Sequence, residues 1–149
     1  TNERVVTHVH EKILTGLIKI DKEKNKVKIF IIGMSFKGNP ETSDIRNSSS
    51  LDLIKKLKYK NIFIYDALVK YNLEIYKKLN LKISSLKDGF NKADVVIIMN
   101  NHKDFYDLDI YNYLNSMNKP SIFIDTWHIF DPLEIKQLKG IIYYGVGND

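Results

Sequence analysis

VKIFIIGMSFKGNPETSDIRNSSS, residues Val27 to Ser50, decides how this chain is read. Val27 to Ile32 is an unbroken apolar run and Leu51 to Leu57 has the look of a helix. Between them lies a loop with Gly33, Lys37, Gly38, Asn39, Pro40, Asp44 and Arg46. A buried strand that feeds a polar, glycine-bearing loop and then a helix offers a phosphate both backbone amides and a helix N-terminus. The stretch therefore predicts an anion site, with a nucleotide as the carrier of the anion. The loop has neither the glycine spacing of GxGxxG nor the GK[ST] of a Walker loop. Two readings stay open on its residues alone, a phosphate loop and an ordinary surface loop. Lys37 and Arg46 are its strongly cationic pair, and an arginine fork can hold two phosphate oxygens at once.

Upstream, residues Thr1 to about Lys19 read as a helix with Val5, Val9, Ile13 and Leu17 on one stripe and Asn2 as its cap. A chain that starts inside such a helix reads as the tail of something longer. The polar run Asp21 to Lys26 is expected to be a linker. Downstream, one of Ser48, Ser49 or Ser50 caps the helix, with Leu51, Leu53, Ile54 and Leu57 as candidates for its inner face. Asn61 to Tyr65 is a second buried strand closed by Asp66, which either meets a ribose hydroxyl or caps the next turn. A helix is expected over Leu68 to Leu79, with Leu73, Tyr76 and Leu79 turned inward. Then come a weak strand at Leu81 to Ile83, a short helix at Ser85 to Lys92, and a strand at Asp94 to Met99 whose continuous apolar character fits burial on both faces. The loop Asn100 to Phe105, a helix at Asp109 to Met117, a strand at Ser121 to Asp125, the loop Asp125 to Asp131 and a last strand at Ile141 to Val146 complete the chain. This alternation predicts an α/β fold. We expect a doubly wound, mostly parallel Rossmann-like sheet of about five or six strands, with helices on both faces and one helix in front.

Such a sheet brings the strand tips together, and with them Lys37, Arg46, Asp66, His102, Asp125, Trp127 and His128. The indole of Trp127 could stack on a base or cap the core. His102 and His128 could act as acid/base groups or be plain loop histidines. No metal-ligand spacing occurs, and His8 and His10, two apart on a helix, face different sides. The serines lack the GxSxG elbow of a hydrolase. With no cysteine in 149 residues there is no disulfide and no thiolate chemistry, which suits a cytoplasmic protein. No stretch nears the roughly 20 apolar residues of a membrane span. The net charge of +5 and pI of about 9.2 raise nucleic-acid binding, but the lysines are scattered over helix surfaces rather than massed, so no nucleic-acid partner is expected.

The run IIGMSFKGNPETSDIRNSSSLDLIKKL resembles the start of the C-terminal, UDP-binding domain of the UDP-glucose/GDP-mannose, or nucleotide-sugar, 6-dehydrogenases. Further matches follow in order: Tyr65-Asp66 at a strand end, ADVVIIMNNHKDF at Ala93 to Phe105, SIFIDTWHIFD at Ser121 to Asp131, and YYGVG at Tyr143 to Gly147. The resemblance implies a UDP-sugar ligand held by Phe36 and Lys37, with Arg46 reaching NAD across a cleft. It also implies two oxidations at C6 of the sugar, serving surface-polysaccharide synthesis. NAD and the catalytic cysteine would belong to N-terminal and central domains that precede this one, so this chain alone would carry no catalytic residue. On this reading residues 1–20 end the helical segment that joins the central domain, residues 27–149 form the UDP-sugar domain, and the full enzyme is a homodimer. Arg46 stands nine positions after Lys37, two more than the usual form, and DTWH replaces the usual arginine-bearing DGR. Both differences point to the UDP-N-acetylhexosamine branch. The alternative is a free-standing flavodoxin-like nucleotide-binding or regulatory module. A phosphoacceptor version lacks its acidic residues, since Gly33 and Met34 follow the first strand and Asn100 and Asn101 the fourth.

Overall fold

The computed structural model describes residues 2–35, 44, 45 and 48–145. Its centre is a parallel six-stranded sheet in the order β3-β2-β1-β4-β5-β6. The strands are β1 (Ile29–Ile32), β2 (Ile62–Tyr65), β3 (Lys82–Ile83), β4 (Val95–Ile98), β5 (Ser121–Asp125) and β6 (Ile141–Gly145). This is the order of the dinucleotide-binding α/β folds, with the winding reversed between β1 and β4. The flavodoxin-like order has a different strand beside the first.

The sheet is covered on both faces, as alternate residues of its strands show. Ile29, Ile31, Ile64, Val95, Ile97, Ile122 and Ile124 join one core, whereas Phe30, Ile32, Val96, Ile98 and Phe123 join the other. On the first face lie α1 (Asn2–Ile20), α2 (Ser49–Lys56) and α3 (Leu73–Lys78). On the second lie α4 (Leu86–Phe90), α5 (Ile110–Ser116) and α6 (Pro132–Lys136).

The first helix is an integral layer. The crossovers from β1 to β3 place α2 and α3 over their own half of the sheet, and α1 packs beside α2 and across β5 to cover the other half. Its buried stripe is Val6, Val9, Ile13 and Leu17; Val5, expected on that stripe, is only half-buried. Burying side chains such as Val9 and Ile13 is worth roughly 1.5–3 kcal/mol each. Gly16 allows the close approach, because a Cβ there would lie 2.5 Å from Ile122 Cδ1. Asn2 is already helical, so it is not the residue before the helix.

Three further expectations change. The helix foreseen from Leu68 to Leu79 is a 3-10 turn at Val69–Tyr71 followed by α3, and Leu73 is 40% exposed rather than inward. Tyr76, by contrast, is fully buried. The linker Asp21 to Lys26 contains a 3-10 turn, Lys24–Lys26. Finally, α6 was not foreseen, although Asp131-Pro132 carries its signal: Asp131 Oδ1 accepts from Leu133 N at 3.0 Å, with proline in the first turn.

Candidate functional site

The crevice sits where the winding reverses, outside the carboxyl ends of β1 and β4. At the β1 tip Gly33 has φ +93, a left-handed conformation that suits glycine. It also needs the missing side chain: a Cβ would fall 2.5 Å from Cγ and Oδ1 of Asn100, the residue that opens the loop after β4. Asn100 is 4% exposed. Its Nδ2 donates to Ser35 Oγ at 3.2 Å and its Oδ1 accepts from His102 N at 3.2 Å, so one buried amide ties the two loops that flank the crevice. The N-terminus of α2 joins the same place. Ser48 Oγ caps it by accepting from Leu51 N at 3.1 Å, and Ser50 Oγ donates to Gly33 O at 2.5 Å.

Phe36, Lys37 and Arg46, the residues expected to hold UDP-sugar and NAD, lie outside the described residues. Ser35 and Ser48 are the described residues that flank their loop; Ile45, within it, is buried in the first core, and its carbonyl accepts from Ser48 N at 3.1 Å. The remaining expected residues divide into groups. Asp66 has the turn-capping role, accepting from Leu68 N at 2.9 Å and, through its other oxygen, from Tyr76 OH. Burial first, and the Asp66 bond second, push the Tyr76 phenol far above its ordinary range. His102 is the loop histidine. It is 4% exposed, it packs on Phe105, and its Nδ1 accepts from Asp104 N at 3.2 Å to cap a 3-10 turn at Lys103–Asp107.

The loop after β5 is organised from below by Asp125, which is fully buried. Its Oδ1 accepts from Trp127 N at 3.2 Å and its Oδ2 from Phe130 N at 3.0 Å. Desolvation pushes the Asp125 carboxyl above its ordinary value. The N–H bonds from Phe130, Trp127 and Ile129 and the nearby His128 oppose that rise. His128 turns the chain back with φ +51, an uncommon conformation outside glycine. Trp127 does not cap the core: the residue is 41% exposed, and its Nε1 donates to Met99 O at 3.1 Å, across at the tip of β4. Thr126 makes the neighbouring crossing, donating from Oγ1 to Ile98 O at 2.7 Å.

Sequence reasoning missed Asn100 as the buried latch. The signal was present in the pair Asn100-Asn101 directly after an apolar strand, where a polar side chain has backbone groups of two loops within reach. Among the described residues no group of His, Asp or Glu could hold a metal ion, and no helix is long and apolar enough to cross a membrane. The space beside Gly33 is filled by Asn100, which differs from the open glycine cradle that lets a dinucleotide pyrophosphate approach the backbone. The described residues thus do not form a resident NAD cradle.

A parallel sheet wound in this order, with a helix N-terminus and two loops meeting at its switch point, defines a nucleotide-binding α/β domain. The chain belongs to the UDP-glucose/GDP-mannose dehydrogenase family, whose UDP binding domain matches residues 30–132. It is 31% identical over 99 residues to UDP-N-acetyl-D-mannosamine dehydrogenase of Campylobacter jejuni, covering 60% of this chain and 24% of that protein. It is 28% identical over 154 residues to UDP-glucose 6-dehydrogenase of Rickettsia felis, covering 99% of this chain and 32% of that one. The fold is shared with a UDP-D-ManNAc dehydrogenase from Pyrococcus horikoshii at a TM-score of 0.73 and 23% identity, over 97% of this chain and 31% of the other. An NDP-N-acetyl-D-galactosaminuronic acid dehydrogenase from Methanosarcina mazei gives 0.74 and 19%, over 95% and 29%. The matched spans are thus 24% and 32% of the length of these curated relatives.

Proposed function

We propose that this chain is the UDP-sugar-binding part of an NAD-dependent nucleotide-sugar 6-dehydrogenase, which oxidises the C6 alcohol of the sugar to a carboxylate. The observation that carries the reading is the family match over residues 30–132, a span that contains the tips of β1 and β4 and the loops that follow them. In this division of labour residues 27–149 bind UDP-sugar, and residues 1–20 end the segment that leads to a central domain. NAD and the covalent chemistry belong to the enzyme's other domains. Lys37 and Phe36 hold the UDP-sugar, and Arg46 faces the cofactor. The Asn100 latch and the α2 N-terminus hold the ends of their loop in place, which supports a diphosphate there. We further propose that the enzyme works in the cytoplasm, supplies uronates for surface polysaccharide and pairs as a homodimer. The sugar is an N-acetylhexosamine, a choice favoured by DTWH at Asp125 to His128 and by the Campylobacter relative.

Calorimetric titration of the chain with UDP, UDP-N-acetylhexosamines and NAD tests this. UDP and its sugars bind weakly, because half of the cleft lies in other domains, and NAD binds less. Lys37→Ala weakens UDP binding further. Unchanged UDP affinity in Lys37→Ala would overturn the loop assignment. NADH production by the chain alone would overturn the division of labour.

A further inference from the structure

We propose that Trp127 is a stacking wall for a ring of the bound nucleotide-sugar, the uracil base or the apolar face of the sugar. This rests on the function proposed above and assigns a residue that selects within the same site. Three features carry it. The first is anchorage. The Trp127 backbone is tied to the buried carboxylate of Asp125 through its N–H, at 3.2 Å, and its indole is tied to the Met99 carbonyl through Nε1–H, at 3.1 Å. Both ends of the residue are fixed before any ligand arrives.

The second is placement. The two anchors belong to different strand tips, β5 and β4, so the indole leans across the carboxyl rim of the sheet to the strand that forms one wall of the crevice. Met99 is followed directly by Asn100, the latch that closes on Gly33. The third is chemistry. The indole has a single polar hydrogen, and that hydrogen is used inside the protein. What it can still offer a ligand is its flat π surface, and the residue is 41% exposed. A large aromatic held rigidly, with no polar atom to spare and open area at a ligand rim, is suited to stacking. A core cap would be buried, and a surface aromatic without a task needs neither anchor.

The test is direct, because Trp127 is the only tryptophan among the 149 residues and its fluorescence reports on this position alone. Emission is followed while UDP, a UDP-N-acetylhexosamine or NAD is added, with binding measured in parallel by calorimetry. Binding accompanied by quenching or a spectral shift is the expected result. If UDP alone produces the change, the base is the stacked ring; if only the UDP-sugar does, it is the sugar. Binding seen by calorimetry with unchanged emission overturns the stacking wall and leaves the proposed function standing. No binding of any uridine nucleotide at millimolar concentration overturns both. Variants separate stacking from loop support. Trp127→Ala weakens binding about tenfold. Trp127→Phe, which keeps a flat ring and gives up the bond to Met99, stays within about threefold of the parent. Equal losses in the two variants, or no loss in Trp127→Ala, would refute the assignment.

Discussion

Two buried aspartates mark opposite ends of the sheet, and they are held in different ways. Asp94, at the amino end of β4, is 1% exposed. It accepts from Lys22 Nζ at 2.8 and 2.9 Å, from Lys28 N at 2.8 Å and from Asn118 Nδ2 at 2.9 Å. One carboxylate staples both ends of the α1–β1 connection to the entry of β5. Asp125, at the carboxyl end of β5, is also buried, but its hydrogen-bond partners are backbone N–H groups of its own following loop. One charge is neutralised by an ammonium and closes its end of the fold. The other shapes a loop that ties Trp127 to the β4 tip and sets His128 beside Gly145 at the β6 tip. The contrast teaches that the amino end is built for stability and the carboxyl end for holding Trp127 against the β4 tip.

Asp94→Ala should break this comparison most strongly. It leaves an ammonium, a backbone N–H and an amide without their acceptor, and we expect a loss of about 3 kcal/mol by urea denaturation. Lys22 is one third exposed (32%), so most of that loss comes from the other donors rather than from the ion pair. Nucleotide affinity of the fraction that folds stays unchanged. A loss under about 1 kcal/mol would mean that the amino-end staple is dispensable.

Gly33→Ala comes next. The new Cβ meets Asn100 at 2.5 Å on a backbone with φ +93, and the expected cost is about 2 kcal/mol. Here the damage reaches function as well, because the displaced amide carries the crevice latch. UDP affinity should fall along with stability, unlike in Asp94→Ala.

Asp125→Asn sharpens the comparison through pH. Burial raises the folded-state pKa of Asp125 above its ordinary value of 3.8, so the folded chain holds this proton more tightly than the unfolded chain does. The contribution is fully present below that value and is lost as pH rises through the raised one. Stability of the parent should therefore decline over this window relative to Asp125→Asn. A difference between the two proteins that stays constant from pH 3.5 to 7 (about the span of that titration) would rule burial out as the cause. The smallest effect is expected for Thr126→Val, which removes the bond from Oγ1 to Ile98 O at 2.7 Å, at about 1 kcal/mol in a thermal melt.

Most of the fold was legible because burial on both faces leaves a local trace. IFII in β1 and VVII in β4 are fully buried, as continuous apolar runs in a parallel sheet should be. The loops between them carried turn and cap residues where the structure has turns and caps, Ser48 and Ser85 among them. The errors fall where local pattern and packing part company. Leu73 looked internal on a helical wheel beside Tyr76, yet α3 spans only Leu73–Lys78, and of the two only Tyr76 is buried. Val5 lost its place on the stripe to Val6, because α1 meets α2 and β5 together and its contact face is set by both.

By itself, the sequence determined the alternation of strands and helices, the depth of the central strands and the loop that most resembles a phosphate site, since each is written in neighbouring residues. Only the tertiary structure decided that Asn100 occupies the space beside Gly33, that Asp94 gathers Lys22, Lys28 and Asn118, and that the indole of Trp127 is pinned to the end of another strand. Such contacts join residues up to 72 positions apart, and no local periodicity encodes which polar groups will meet once the sheet has closed.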